Sequence, residues 1–257
     1  EGGEAVTRTS RTTLPFLQMN GLLVRVGIDL TAGGWNAPCD EAGGFCFVPM
    51  GNSTLTTSYD PAYEEYERAV KHFLPATAHP STYWPQWLPQ EGHFDPDFKH
   101  LSYGDCGRRA QRIRARLGIG DFLVFYAGLR SVQTGALCYS LIGFFEVEQM
   151  FNGPDVPRAD WQRNAHTRGS GCPDPGAIVV FARPGKSGRL RHHIPIGSYR
   201  DGAYRVEQSL LNDWGGLGVK NGYIQRSAFL PAFTNGSRFL SWFSSQNPEF
   251  IQANNPE

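Results

Sequence analysis

Six apolar, β-branched or aromatic runs begin near residues 21, 45, 121, 138, 177 and 190, and their uneven spacing is what most narrows the fold. A βαβ sheet needs strands alternating with helices at regular intervals, and this chain does not supply that rhythm. "GLLVRVGIDL" from Gly21 and "GGFCFVPM" from Gly43 read as the first two strands. "IGDFLVFYAG" and "LCYSLIGFFEVEQM" supply two more, with Gly143 as the candidate bulge. "GAIVVFARPGKSGRLRHHIPI" reads as two strands joined by a Gly-rich turn.

Helical patterns fall between these runs. In "DPAYEEYERAVKHFL", Asp60 can cap, Pro61 suits the first turn, and Tyr63, Tyr66, Val70 and Phe73 share a face. Asp105 as N-cap and Gly118 as stop predict a helix over Cys106–Leu117, with Ala110, Ile113 and Leu117 as its apolar stripe. "RADWQRNAHTRG" reads as a short helix, and the C-terminal third as mainly helical with loops. The pattern predicts one α+β domain over residues 19–257, a mixed, barrel-like sheet flanked by helices. Residues 1–18 read as a leader or an expression remnant outside that fold.

Charge narrows the partners. Twenty-four basic and twenty-four acidic residues cancel, so no global field advertises nucleic acid or membrane. No apolar run reaches transmembrane length, and five cysteines without a C-x-x-C pair give no disulfide framework. The expectation is a cytoplasmic protein with reduced thiols and no membrane partner.

Chemistry concentrates in "GHFDPDFKHLSYGD", Gly92 to Asp105. Pro96 disfavours the α region for Asp95, and in an extended segment His93, Asp95 and Asp97 would share one face. Three readings fit such a cluster. Two carboxylates and an imidazole can divide acid and base roles, with Tyr103 as a hydroxyl donor. His93 and Asp95 can hold a divalent metal; with a third ligand from His166, His192 or His193 this becomes the facial triad of non-haem iron oxygenases. Or the same groups cap turns and bond backbone amides.

The next helix carries Arg108, Arg109, Arg112, Arg114 and Arg116 without an acidic partner inside it, while the whole chain has only four lysines. Guanidinium groups match phosphate bidentately, so Arg108, Arg109 and Arg112 are candidate phosphate contacts for a nucleotide or nucleic acid. Trp84 and Trp87, in the proline-rich loop over 75–92, could stack on a base or pack on the core. His166 and Arg168 sit beside a Gly-rich turn in "NAHTRGSG". "RPGKSGRLRHH" lacks P-loop spacing and reads as a hairpin loop with solvated charges.

The order "HFDPDFKHLSYGDCG", a helix, "GDFLVFYAGLR", "LCYSLIGFFEVEQ" and "NAHTRG" resembles the third family of nucleotide-modification-associated domains, over roughly residues 21 to 245. The resemblance implies a domain coupled to modification of nucleic-acid bases. Carried over by position, His93, Asp95 and Asp97 match the acidic motif. Gly120, Asp121 and Arg130 bracket the strand motif, and His166 matches a later polar position. The opening "RVGIDLTAGGWNAP" is less basic than the family's usual start. The aromatic strand also looks like those of small modified-base readers, which keeps a non-catalytic alternative open.

Overall fold

A computed structural model describes residues 19–30, 35–49, 62–73, 94–168, 174–225 and 229–256, with side chains from Glu64 onward in the first helix. His93, Trp84 and Trp87 lie outside the described residues, as do 1–18, Asp60, Pro61, loop 75–92 and Cys172.

The sheet is built around β4 (Phe122–Ser131) and β5 (Leu137–Asn152), paired antiparallel. On the other edge of β4 lie β1 (Gly21–Arg25) and β2 (Pro38–Cys39), both parallel to it. Beyond β5, β6 (Ile178–Ala182) pairs with its second half and β7 (Gly188–Arg200) with its first, both antiparallel. β3 (Ser102–Asp105) pairs with β6, and β8 (Ala203–Val206) and β9 (Phe250–Ile251) pair with β7. Among the described residues these nine strands form one mixed sheet. With α-helices on its faces the chain is an α+β protein.

The sheet is open, not a closed barrel, but it curls hard. β5 and β6 separate β4 from β3, which would put those strands about 14 Å apart in a flat sheet. Yet the rings of Tyr103 on β3 and Phe125 on β4 sit 5.2 Å apart across the interior. A bulge contributes to this bend. Phe125 faces Gly143 while Tyr126 faces Leu141, so Ile142 is the extra residue. Gly143 itself admits Phe98, whose ring would lie 2.2 Å from any Cβ placed there.

Both faces of the sheet are buried, which explains why its strands read as nearly continuous apolar runs. Leu22, Val24, Leu123 and Phe125 meet Tyr66 and Val70 of α1 (Ala62–Phe73) and Ala110 and Ile113 of α2 (Gly107–Arg116). The alternate residues Leu23, Phe122 and Val124 meet Trp214 of α3 (Gln208–Trp214) and Phe239 and Phe243 of α4 (Gly236–Ser245).

Three local expectations change. The segment from Phe45 to Val48 is buried but makes only an isolated bridge, Phe45 to Cys39. Its backbone is satisfied elsewhere: the Asn255 side chain accepts from Phe47 N and donates to Phe47 O at 2.8 and 2.9 Å. Segment 183–187 is no hairpin, because β6 and β7 run end to end along β5. Arg183 and Lys186 instead pair with Glu146 of β5 at 3.0 and 3.5 Å. Finally, Cys106 occupies the N-cap of α2, and Asp105 belongs to β3. Residues 158–163 form the expected helical turn, as a 3-10 helix.

Candidate functional site

The site gathers around β3, whose outer edge has no strand partner among the described residues. Asp95 closes part of that edge: its Oδ1 accepts from the Gly104 amide at 2.7 Å. Two residues on, Asp97 forms a backbone bridge with Ser102, its N donating to Ser102 O at 2.8 Å. This antiparallel approach turns both carboxylates toward the turn over 164–168. His166 Nε2 bonds Asp95 Oδ2 at 3.0 Å, and Arg168 reaches Asp97 Oδ2 at 3.4 Å. The turn is locked from below. Asn164 and Thr167 are fully buried, Asn164 Oδ1 accepting from the His166 amide and Thr167 Oγ1 donating to Trp161 O.

Gly104 is required for this arrangement. A Cβ there would fall 2.2 Å from His166 Cδ2 and 2.7 Å from Asn164 Oδ1. The imidazole therefore rests on bare backbone, with side-chain exposures of 22% for His166 and 17% for Asp95, so the pair reaches solvent. Burial alone would lower the His166 pKa. The hydrogen bond and charge of Asp95, with Asp105 and Asp174 beyond, outweigh it and raise the value above 6.5.

Asp97 has a different environment. Its side chain is 5% exposed, and Oδ1 accepts from the amides of Lys99 and His100 and from Asn254 Nδ2, each at 3.1 Å. Oδ2 also meets His100 Nδ1 at 2.8 Å. Asn254 closes the circle, its Oδ1 accepting from Phe98 N at 2.6 Å. This carboxylate organises a turn.

Alternation along β3 sends Tyr103 and Asp105 to the face opposite Gly104's missing side chain. The buried Tyr103 hydroxyl donates to Asp105 Oδ2. Arg109 donates from Nε to the same oxygen at 2.7 Å and from Nη2 to the Tyr103 oxygen, also at 2.7 Å. Burial pushes the Tyr103 pKa well up, and Asp105 and Asp95 add to this against Arg109. The phenol thus stays a neutral donor. Arg109 Nη2 also reaches Arg25 O at 3.4 Å, and Arg25 forms a buried ion pair with Asp29 at 2.6 Å.

The arginines of α2 are largely engaged. Arg109 has Asp105 four residues before it, a partner that a search confined to the helix overlooks. Arg112 donates from Nε to Leu230 O and lies over the Phe229 ring at 4.2 Å. Arg114 bonds Asn152 Oδ1, Gly176 O and Ala177 O at 2.8, 3.1 and 2.7 Å. Arg108 and Arg116 are exposed. Arg130 stands four residues beyond Tyr126 on β4 and donates to Gly135 O at 2.7 Å, closing the β4–β5 turn.

The structure thus brings together Asp95, Asp97, His166 and Arg168, with Tyr103 and Arg109 behind them. Arg112 and Arg130 are bonded elsewhere. Sequence reading passed over Gly104, Asn164 and Asn254. A glycine inside a strand signals close approach by another group, but nothing local marks the two asparagines. Among the described residues no group of three His, Cys, Asp or Glu side chains could hold a metal. Cavities of about 670, 530 and 510 Å³ among the described residues open elsewhere, and neither Asp95 nor His166 lines them.

The fold and this cluster define an open α+β sheet with a carboxylate–imidazole pair at the edge of one strand. Residues 20–215 match the family described as nucleotide modification associated domain 3. That match spans most of the chain, and the chain belongs to this family. No curated protein and no solved structure matches it. No helix among the described residues is long and apolar enough to cross a membrane.

Proposed function

We propose that this domain modifies the base of a nucleotide, with His166 moving the proton and Asp95 holding and charging the imidazole. The observation that carries this reading is the 3.0 Å Asp95–His166 hydrogen bond, partly exposed and seated on Gly104, in a chain of this family. Imidazole is the side chain best suited to act as acid or base near working pH, and the Asp95 hydrogen bond favours its charged form. Arg168 supports an anionic substrate beside the pair. Arg108, exposed on the first turn of α2, is the arginine best placed to take a phosphate, while Arg109 and Arg112 add positive charge through guanidiniums already bonded. Trp84 and Trp87 would wall the base, and His93 would extend the acid–base set.

The metal alternative asks more of Asp95. A cation held with His93 would compete with Gly104 N and His166 for both carboxylate oxygens. A non-catalytic reader of modified bases is the rival from another class.

The test is to incubate the domain with single-stranded DNA, RNA or free nucleotides, digest to nucleosides and look for a mass change. Wild type should yield a shifted nucleoside. His166→Gln and Asp95→Asn should lower its rate by about 100-fold or more. No mass change with any substrate, alongside retained binding, would leave only the reader.

A further inference from the structure

A second surface is built mostly from residues 219–231, past the end of the family match, with Arg205 from within it. Arg205, Val219, Lys220, Tyr223, Phe229 and Pro231 are among the residues around a cavity of about 530 Å³, a size suited to a single nucleotide. Its chemistry is aromatic and cationic, with no carboxylate among the described residues of that lining. The Arg205 guanidinium lies 5.4 Å from the Tyr223 ring centroid. Phe229 is 43% exposed, an unusual position for a large apolar ring, and Arg112 holds it at 4.2 Å. Lys220 is exposed and has no ion-pair partner among the described residues.

This cavity is tied to the candidate site. Arg112, which covers Phe229, follows Arg109 by three residues on α2, about 4.5 Å along the helix axis. Arg109 bonds Asp105 and reaches the Arg25 carbonyl, while Arg25 in turn donates to Gln225 O, two residues after Tyr223. The cavity wall and the polar cluster thus share one arginine lattice.

We propose that this groove is a track for single-stranded nucleic acid, one unpaired base stacking on Phe229 or Tyr223 while Lys220 and Arg116 take flanking phosphates and Arg205, bonded to the carbonyls of Arg200, Lys220 and Asn221, adds positive charge. The inference rests on the base-modification reading and gives it a substrate class: a polymer strand. Exposed π-faces bordered by cations suit unpaired bases, because bases inside a duplex offer no face to stack on. Unpaired cations are compensated by phosphate, and association then weakens with salt.

Fluorescence anisotropy with fluorescein-labelled single strands of about 15 nucleotides, DNA and RNA, tests the track at two salt concentrations. Phe229→Ala should weaken binding by on the order of tenfold and Phe229→Tyr should keep it. Lys220→Ala should reduce the salt slope by about 0.7. Arg191→Ala, a charge loss where Arg191 pairs with Glu249, should stay within about twofold of wild type. Circular dichroism confirms that each variant is folded. Unchanged binding by Phe229→Ala and Tyr223→Ala, or no binding of either strand by wild type at about 10 μM, overturns the track. This assay reads binding alone. Failure to find a modified nucleoside leaves it untouched, and unchanged binding leaves the Asp95–His166 reading standing for free nucleotides.

Discussion

His166 has a charge set by competition. Its partly buried ring favours the neutral form, and Asp95 at 3.0 Å favours the cation. The folded pKa is raised, so its contribution to stability is complete below about 6.5, the unfolded value, and fades as pH rises through the folded one. Removing the carboxylate leaves the burial. In Asp95→Asn the His166 pKa should therefore fall, because Asp105 and Asp174 pull it upward less than Asp95 does. NMR titration of the imidazole reads this directly, and an unmoved pKa in the variant would sink the pairing. The His-x-Asp-Pro-Asp run shows how far a local motif carries. An extended segment would have aimed both carboxylates one way; residues 95 and 96 bend instead, and both carboxylates still meet the turn over 164–168. Their division of labour was hidden, because His166 lies 71 residues from Asp95 and Asn254 lies 157 from Asp97. Pattern within fourteen residues cannot report which carboxylate is buried by a distant amide.

At the level of elements, α2 separates arginines that look alike in sequence. Arg114 donates to three oxygens on the β5 end and the 176–177 turn, whereas Arg108 and Arg116 are exposed. Arg114→Ala should lower unfolding free energy by about 1–2 kcal/mol, since two backbone carbonyls lose a donor. Arg108→Ala and Arg116→Ala should stay within about 0.5 kcal/mol. Urea denaturation of the three single variants decides it; equal losses would contradict the docking of Arg114. Helix α2 was legible because its apolar stripe has the right period, and Ala110 and Ile113 are indeed its buried residues. The fate of its charges was not, because Asn152, Ala177 and Leu230 come from distant segments. The same limit applies to β6 and β7. Two apolar runs around "RPGKSG" look like a hairpin until Glu146 of the neighbouring strand holds both bases between them.

Across the whole molecule, two cores lie back to back through one sheet, and uneven strand spacing correctly excluded a regular βαβ order. Closure of the barrel did not follow, because sequence carries strand count more clearly than pairing at the edges. The core beneath α3 and α4 contains a test of its own packing. Trp214 is fully buried against Phe233, Phe239 and Trp242, and its Nε1 has no hydrogen-bond partner among the described residues. Trp214→Ala should cost about 3–5 kcal/mol, since it empties the centre of the cluster. Trp214→Phe also removes an unsatisfied donor, so it should cost about 1 kcal/mol or less. Similar losses for both would mean that the indole nitrogen is satisfied after all. The side-chain amide of Asn254 has a consequence in time. It fastens the turn holding Asp97 and Phe98, and it is synthesised 157 residues after Asp97. At ~5–20 residues per second, that is a delay of about 8–30 s. A growing chain carries Asp95 and His166 through the ribosome before the knot beside them can be tied, so the finished geometry is acquired only once translation has passed Asn254.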